Sequence, residues 1–380
     1  MNTQDILKDA QTVVIKIGTA MLTQSDAGGV KHEWIDTLAQ DIKALKDAGK
    51  RVLIVSSGAV ALGRPALNIA LDTPPQDIPL EKKQAASAVG QFHIFNAYFD
   101  SFSKQKLTLA QVLLTMSETE NRRMHLNARA TLHELMEQGI VPIVNENDTI
   151  STGEIRFGDN DRLAARVAQM IEAEAVILLS TTDGLYTAHP DKDERAEHIP
   201  VIESIADEHH KMAGEAVPGM STGGMKSKVE AARVATAAGI HLIVANGEEN
   251  HALRAVHDDK NTRTSLFLAA NSDKNARKRW ISSHLAPKGI IVVDDGALSA
   301  LNAGKSLLPV GVHKVEGTFE RGDIVEIYSM ERQKLGMGVS AYASEDAQKL
   351  IGKNSAEIAD ILGYAGRSEL IHRNDMVLQD

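Results

Sequence analysis

Apolar and polar positions fall into two alternating rhythms through the first 273 residues of this chain. Five short runs rich in β-branched residues, at 12–17, 51–55, 140–144, 175–179 and 240–245, are apolar almost without interruption. Strands buried on both faces of a parallel sheet have this pattern. Between them the period lengthens to that of a helix. Trp34, Leu38, Ile42 and Leu45 share one face of a predicted helix that closes at Gly49. Ser117 and Glu120 form a capping-box pattern, predicting a helix that runs through Met136 and stops at Gly139. Two more helices are predicted over 161–173 and 225–238. Strand alternating with helix predicts an α/β layered domain with ligands at the carboxyl ends of its strands.

The rhythm changes at residue 274. A basic, polar stretch (274–280) and the Pro287-Lys288-Gly289 break precede closely spaced strand-like runs at 290–293, 307–312 and 324–327. Turn residues such as Glu316-Gly317 and Arg321-Gly322-Asp323 separate them. The expected organisation is a catalytic α/β domain over 1–273, a linker over 274–287, a small mostly-β domain over 288–366 and a C-terminal tail over 367–380.

At 380 residues the chain exceeds one ordinary core, in keeping with two domains. With 43% hydrophobic and 24% charged residues it has a globular composition, and no stretch is long and apolar enough to suggest a membrane span. The polar, acidic first nine residues do not resemble a secretory or mitochondrial leader. The absence of cysteine excludes disulfides and thiolate chemistry and fits a reducing, cytoplasmic setting. A net charge of −10 opposes attraction to nucleic acid or anionic membrane and favours a small charged substrate.

Four segments carry candidate chemistry. Lys16 interrupts the first apolar run just before Gly18-Thr19; its ammonium either reaches an anion at the strand end or snorkels from a sheet edge. Ser56-Ser57-Gly58-Ala59 follows the second run, and its amides suit anionic oxygens, or Ser57 is an ordinary N-cap. Thr222-Gly223-Gly224-Met225-Lys226-Ser227-Lys228 is glycine-rich with paired lysines. It is not a Walker A loop, since with Gly219 as first glycine Met225 stands where lysine is required. It is a phosphate loop of another kind or a flexible connection. Asn145-Glu146-Asn147-Asp148 and Gly158-Asp159-Asn160-Asp161 combine amides and carboxylates, which suits a zwitterionic ligand; the alternative is a turn and a helix cap, and taken singly Asp159 or Asn160 reads first as a cap. The 14 histidines show no metal-ligand spacing, and there is no GxSxG elbow.

Taken in this order, these motifs resemble the amino acid kinase family, and residues 288–366, including Phe319-Glu320-Arg321-Gly322-Asp323, look like a PUA domain. Lys16-Ile17-Gly18-Thr19 is similar to the branch that phosphorylates free glutamate; acetylglutamate-specific relatives usually carry a second glycine at the place of Thr19. The resemblance implies an αβα sandwich with a mainly parallel sheet and ATP- and Mg²⁺-dependent phosphorylation of the γ-carboxylate of L-glutamate, the first step of proline biosynthesis. It implies that Lys16 and Lys228 contact the phosphates and that Asp161 holds the two lysines. Ser57, Asp148 and Asn160 would bind glutamate, with Asn145 and Asp159 nearby. Ser180, Thr181 and the loop Thr222, Gly223, Gly224, Met225, Lys226, Ser227 and Lys228 would hold the nucleotide. It also implies proline as a feedback inhibitor, a homo-oligomer and coupling to glutamyl phosphate reductase, with no metal site built from side chains. Two positions depart from the family pattern: Ser180-Thr181, where many relatives have Thr-Asp, and Arg156, which is often lysine.

The rival readings are a related kinase acting on acetylglutamate, aspartate or a nucleoside monophosphate, and an RNA-binding protein. Residues 288–366 carry eight Lys and Arg against eleven Asp and Glu, a net −3 and the wrong sign for a phosphate-binding surface.

Overall fold

The computed structural model of the chain describes residues 2–24, 29–151, 159–190, 192–213, 224–259, 261–270 and 287–378. Contacts divide it into two units, Met1–Glu120 with Asn127–Ser272, and Asn121–Leu126 with Asp273–Asp380.

The first unit is built on an eight-stranded sheet. In chain order its strands are β1 (Thr12–Ile17), β2 (Arg51–Val55), β3 (Leu109–Leu114), β4 (Val141–Glu146), β5 (Ala175–Ser180), β8 (Val201–Ile202), β9 (His241–Asn246) and β10 (Thr264–Phe267). A separate two-stranded hairpin is formed by β6 (Leu185–Tyr186) and β7 (His198–Ile199). The spatial order is β3-β4-β2-β1-β5-β9-β10-β8, parallel throughout except where β10 pairs with β9.

The five apolar runs are β1, β2, β4, β5 and β9, five of the six inner strands, and their continuous apolarity has a direct cause. Val13, Ile15 and Ile17 pack into one core and Val14 into another; Val52 and Ile54 alternate with Leu53 and Val55 in the same way. One face is covered by α1 (His32–Asp47) and by the 25-residue α3 (Leu80–Lys104); α4 (Asp159–Ile171) and α5 (Met225–Ala237) cover the other. A short helix, α2 (Ala59–Gly63), leaves the end of β2 and lies directly on α3.

The predicted helix over 117–136 is in fact two, Met116–Glu120 and Arg122–Glu137. The capping box sits two residues earlier than expected. Thr115 Oγ1 accepts from Ser117 N at 3.2 Å while Glu118 reaches back to Thr115 N at 2.6 Å. Asn121 then caps the second helix through Met124 N.

The second unit holds a five-stranded sheet of order β12-β11-β13-β14-β15, formed by β11 (Gly289–Val293), β12 (Val312–Gly317), β13 (Ile324–Ser329), β14 (Lys334–Val339) and β15 (Met376–Leu378). The run at 307–312 is not a strand. Leu307 bridges Ile371, and Pro309, lacking an N–H, opens a 3-10 turn through Gly311 before β12 begins. Nor is the segment after 366 a loose tail. Leu370 and Ile371 are fully buried in this unit's core, and Met376–Leu378 completes the sheet against β14. The expected linker lies outside the described residues except for Pro287.

Two glycines let α2 and α3 cross at backbone distance. A Cβ at Gly90 would stand 1.8 Å from the Ala59 carbonyl oxygen, and one at Gly63 1.8 Å from that of Ala86. Gly90→Ala must push the helices apart, a strain of about 3 kcal/mol or more. It should lower the thermal midpoint of the first unit by at least about 6 °C, read by circular dichroism.

Candidate active site

Lys16 occupies the second-last position of β1, with β2 on one side and β5 on the other, so it is no edge lysine. It shares the parity of Val14 and therefore faces the α4–α5 layer. The first turns of those helices bring Asp161 and Lys228 to the same place. Lys16 Nζ lies 2.6 Å from Asp161 Oδ1, and Lys228 Nζ lies 3.4 Å from Oδ2. Ser227 Oγ also donates to Oδ2 at 2.6 Å. All three charged groups are buried, Asp161 completely.

Burial works to raise the Asp161 pKa, but the two ammonium groups and the Ser227 hydroxyl overcome it and hold the carboxyl well below the usual range. Burial pushes the Lys228 ammonium below its ordinary pKa of 10.5, with Lys16 adding to the effect and Asp161 opposing it. Among the described residues the site thus brings two cations to one carboxylate, withdrawn from water.

On the β2–β4 side of Lys16 stands a set of amides and carboxylates. Gly58, at φ 94°, turns the chain from β2 into α2, a conformation open to glycine. Ser57 is not the cap of α2; its Oγ accepts from Asn160 Nδ2 at 3.0 Å. The same nitrogen faces Ser56 O at 2.9 Å and Asn145 Oδ1 at 3.1 Å. Asn160 Oδ1 is buried and has no hydrogen-bond partner among the described residues. Asp148 Oδ2 accepts from Ser87 Oγ at 2.5 Å, and Asn145 Nδ2 donates to Gln91 Oε1 at 2.6 Å. Tyr98 Oη meets Ser56 Oγ at 3.1 Å.

On the β5 side Ser180 ends its strand, its Oγ accepting from Thr182 N at 3.3 Å, and Thr181 is exposed beside it. Gly224 is the N-cap of α5 and makes no side-chain capping bond; Ser227 N bonds back to its carbonyl at 3.1 Å, and the amides of Met225 and Lys226 have no partner among the described residues. Met225 is half-buried and Lys226 exposed. Thr222, Gly223 and Arg156 lie outside the described residues, and Asp159 is the first residue of α4.

Lys16, Lys228 and Asp161 therefore meet at one point. Ser57, Asn145, Asp148 and Asn160 gather on one side of it, and Ser180 and Gly224 belong to elements on the other. Ser87, Gln91 and Tyr98 were missed because α3 was not foreseen. Its inward face opens with Ala86, Ser87, Gly90 and Gln91 and turns apolar only at Ile94, Ala97, Tyr98 and Phe102, though polar and small residues at helical spacing were a signal in plain view.

No group of three or more His, Cys, Asp or Glu side chains among the described residues could hold a metal ion. The lysines and free amides suit phosphate oxygens. A parallel α/β sheet with buried lysines and an open helix N-terminus at its carboxyl edge is a phosphotransferase scaffold. The chain belongs to the amino acid kinase family: that family's model matches residues 11–246, and a PUA domain model matches 289–362. It is 48% identical to a glutamate 5-kinase of Sinorhizobium fredii over 98% of this chain and 93% of that protein. It is also 48% identical to a glutamate 5-kinase of Brucella ovis, over 98% and 97%. Its fold overlaps a UMP kinase from Ureaplasma parvum at TM-score 0.47 and 16% identity, covering 68% of this chain and 98% of the other.

Asp161→Asn keeps the shape of the side chain and removes the carboxylate that lies between the two buried ammonium groups. Leaving such charge uncompensated destabilises by about 3–5 kcal/mol. Because the folded Lys228 pKa is already lowered, that penalty is fullest at neutral pH and is relieved as pH rises through it. Thermal melts without nucleotide should show a smaller gap from wild type at pH 9.5 than at pH 7, about the range below lysine's usual titration.

Proposed function

We infer that this chain transfers the γ-phosphoryl group of ATP to the side-chain carboxylate of free L-glutamate, the activity its curated relatives are named for. The observation that carries the reading is the convergence of Lys16 and Lys228 on Asp161, between an amide-rich pocket and an open helix N-terminus. A carboxylate nucleophile is already ionised at neutral pH and needs no general base, which agrees with a site built from lysines and amides.

The barrier is electrostatic, since an anion must approach a polyanion. A carboxylate oxygen bonds to the γ-phosphorus as the bond to the β,γ-bridging oxygen breaks, and ADP leaves with the electron pair. Negative charge spreads over equatorial and leaving oxygens, and the two ammonium groups stand ready to meet it. Each is worth ~4 kcal/mol against a unit charge at 4 Å for an effective dielectric of 20. Mg²⁺ accompanies ATP on phosphate and water oxygens and neutralises part of the same charge. Asp161 keeps the lysines charged and close together.

In the acceptor pocket, Asp148 and Asn160 Oδ1 are acceptors for the glutamate ammonium, while Ser57 and backbone amides are donors for its α-carboxylate. Ser180, Thr181 and residues 222–228 hold the nucleotide. The same reading extends to proline as a feedback inhibitor, a cytoplasmic homo-oligomer and transfer of the labile acyl phosphate to a reductase. Among the described residues no helix is long and apolar enough to cross a membrane.

ADP release with ATP, Mg²⁺ and a panel of amino acids, with hydroxylamine trapping the acyl phosphate, tests the reading. Turnover with acetylglutamate or aspartate in place of glutamate would overturn it. Lys228→Ala should lower kcat by a factor of about 10²–10³ while thermal melting stays cooperative. Asp148→Ala should raise the glutamate KM about tenfold or more, the scale of one lost charge-assisted hydrogen bond, and change the ATP KM little.

A further inference from the structure

One face of α3 carries four polar residues at helical spacing; three bond to the stretch 145–151 at the end of β4 and the fourth to Ser56 at the end of β2. Gln84 Nε2 donates to Ser151 O at 3.2 Å, Ser87 Oγ to Asp148 at 2.5 Å, Gln91 Oε1 accepts from Asn145 at 2.6 Å, and Tyr98 Oη meets Ser56 Oγ at 3.1 Å. Spacings of three, four and seven residues keep them in one line along the helix. Ser87, Gln91 and Tyr98 are buried, and Gly63 and Gly90 draw α3 onto α2 at the same level. None of the four is a residue assigned above to the substrates.

Hydrogen-bond polarity shows what this line achieves. The backbone N–H of Glu146 donates to Asn145 Oδ1 at 2.9 Å, so oxygen must occupy that end of the amide. Asn145 Nδ2 then has to face α3, where Gln91 presents an oxygen. Asn160 is polarised by the same logic. The Ser56 carbonyl can only accept, so Nδ2 turns toward it and toward Asn145, leaving Oδ1 aimed elsewhere and without a partner among the described residues. A buried acceptor without a donor is costly, and a ligand ammonium would relieve it.

We propose that Gln91 and Ser87 are positioning residues for the acceptor: from α3 they hold the Asn145–Asn160 amide pair and the Asp148 carboxylate in the one arrangement that receives an α-ammonium group. The inference rests on the glutamate reading of this pocket. It assigns α3 no contact with ATP and no part in the transfer itself, so the effect belongs to glutamate affinity.

Gln91→Met keeps length and removes the acceptor, while Gln91→Glu restores an oxygen to Asn145 in either protonation state. For Q91M the expected result is a glutamate KM raised about tenfold with kcat and the ATP KM within about twofold of wild type. Q91E should return the glutamate KM to within about threefold of wild type. Ser87→Ala should act in the same direction and Ser87→Thr restore, so the test stands even if Q91M does not fold. A glutamate KM unmoved in both Q91M and S87A, or a Q91E and S87T no better than Q91M and S87A, overturns the proposal and leaves the function intact. Wild-type protein that releases no ADP with glutamate overturns the functional reading, and this proposal with it.

Discussion

Withdrawing an ammonium group from water costs several kcal/mol, and this chain withdraws two at the same point. Asp161 makes that arrangement possible. Its two oxygens face Lys16 and Lys228 separately, and the Ser227 hydroxyl completes the set. The three charged residues come from β1, α4 and α5, so the cluster exists only when the central strand and both helices of one layer are in register. A single carboxylate thus ties the packing of the sheet to the charge the reaction requires.

Among the described residues, two ammonium groups share one carboxylate, which sets this cluster apart from a simple ion pair. Paired one to one, buried charges would neutralise each other and offer little to a polyanion. Two cations on one carboxylate leave attraction to spare, and burial keeps water from screening it. Burial is the chief cause of the lowered Lys228 pKa, and a phosphate oxygen would oppose it.

Strand order separates two sets of polar residues. β2 and β4 lie on one side of Lys16 and bring Ser57, Asn145 and Asp148; β5 lies on the other and brings Ser180. Behind the acceptor side stands α3, whose small residues permit close approach and whose polar residues reach the pocket walls. One helix therefore both packs the sheet and bonds to the polar groups at the ends of β2 and β4. The second unit has its own core and completes its sheet with the last strand of the chain.

Much of this was readable from the residues in order. Continuous apolar runs revealed the inner strands, because each alternates between two cores and neither face is wet. Glycine and polar motifs marked the ends of β1, β2 and β4 and the start of α4 and α5. Weaker signals failed where tertiary contact replaces local pattern. β3 is a half-exposed edge strand, β10 is only Thr264–Phe267, and the first half of α3 buries small and polar residues in place of an apolar stripe. Nor could linear order show that Lys16 lies in the middle of the sheet, or that residues 370–378 close the second core. Local sequence dictates which backbone shape a segment prefers and which side chains are available. Which buried charges meet, and which carboxylate stands between them, is decided by distances across the folded sheet that no stretch of chain contains by itself.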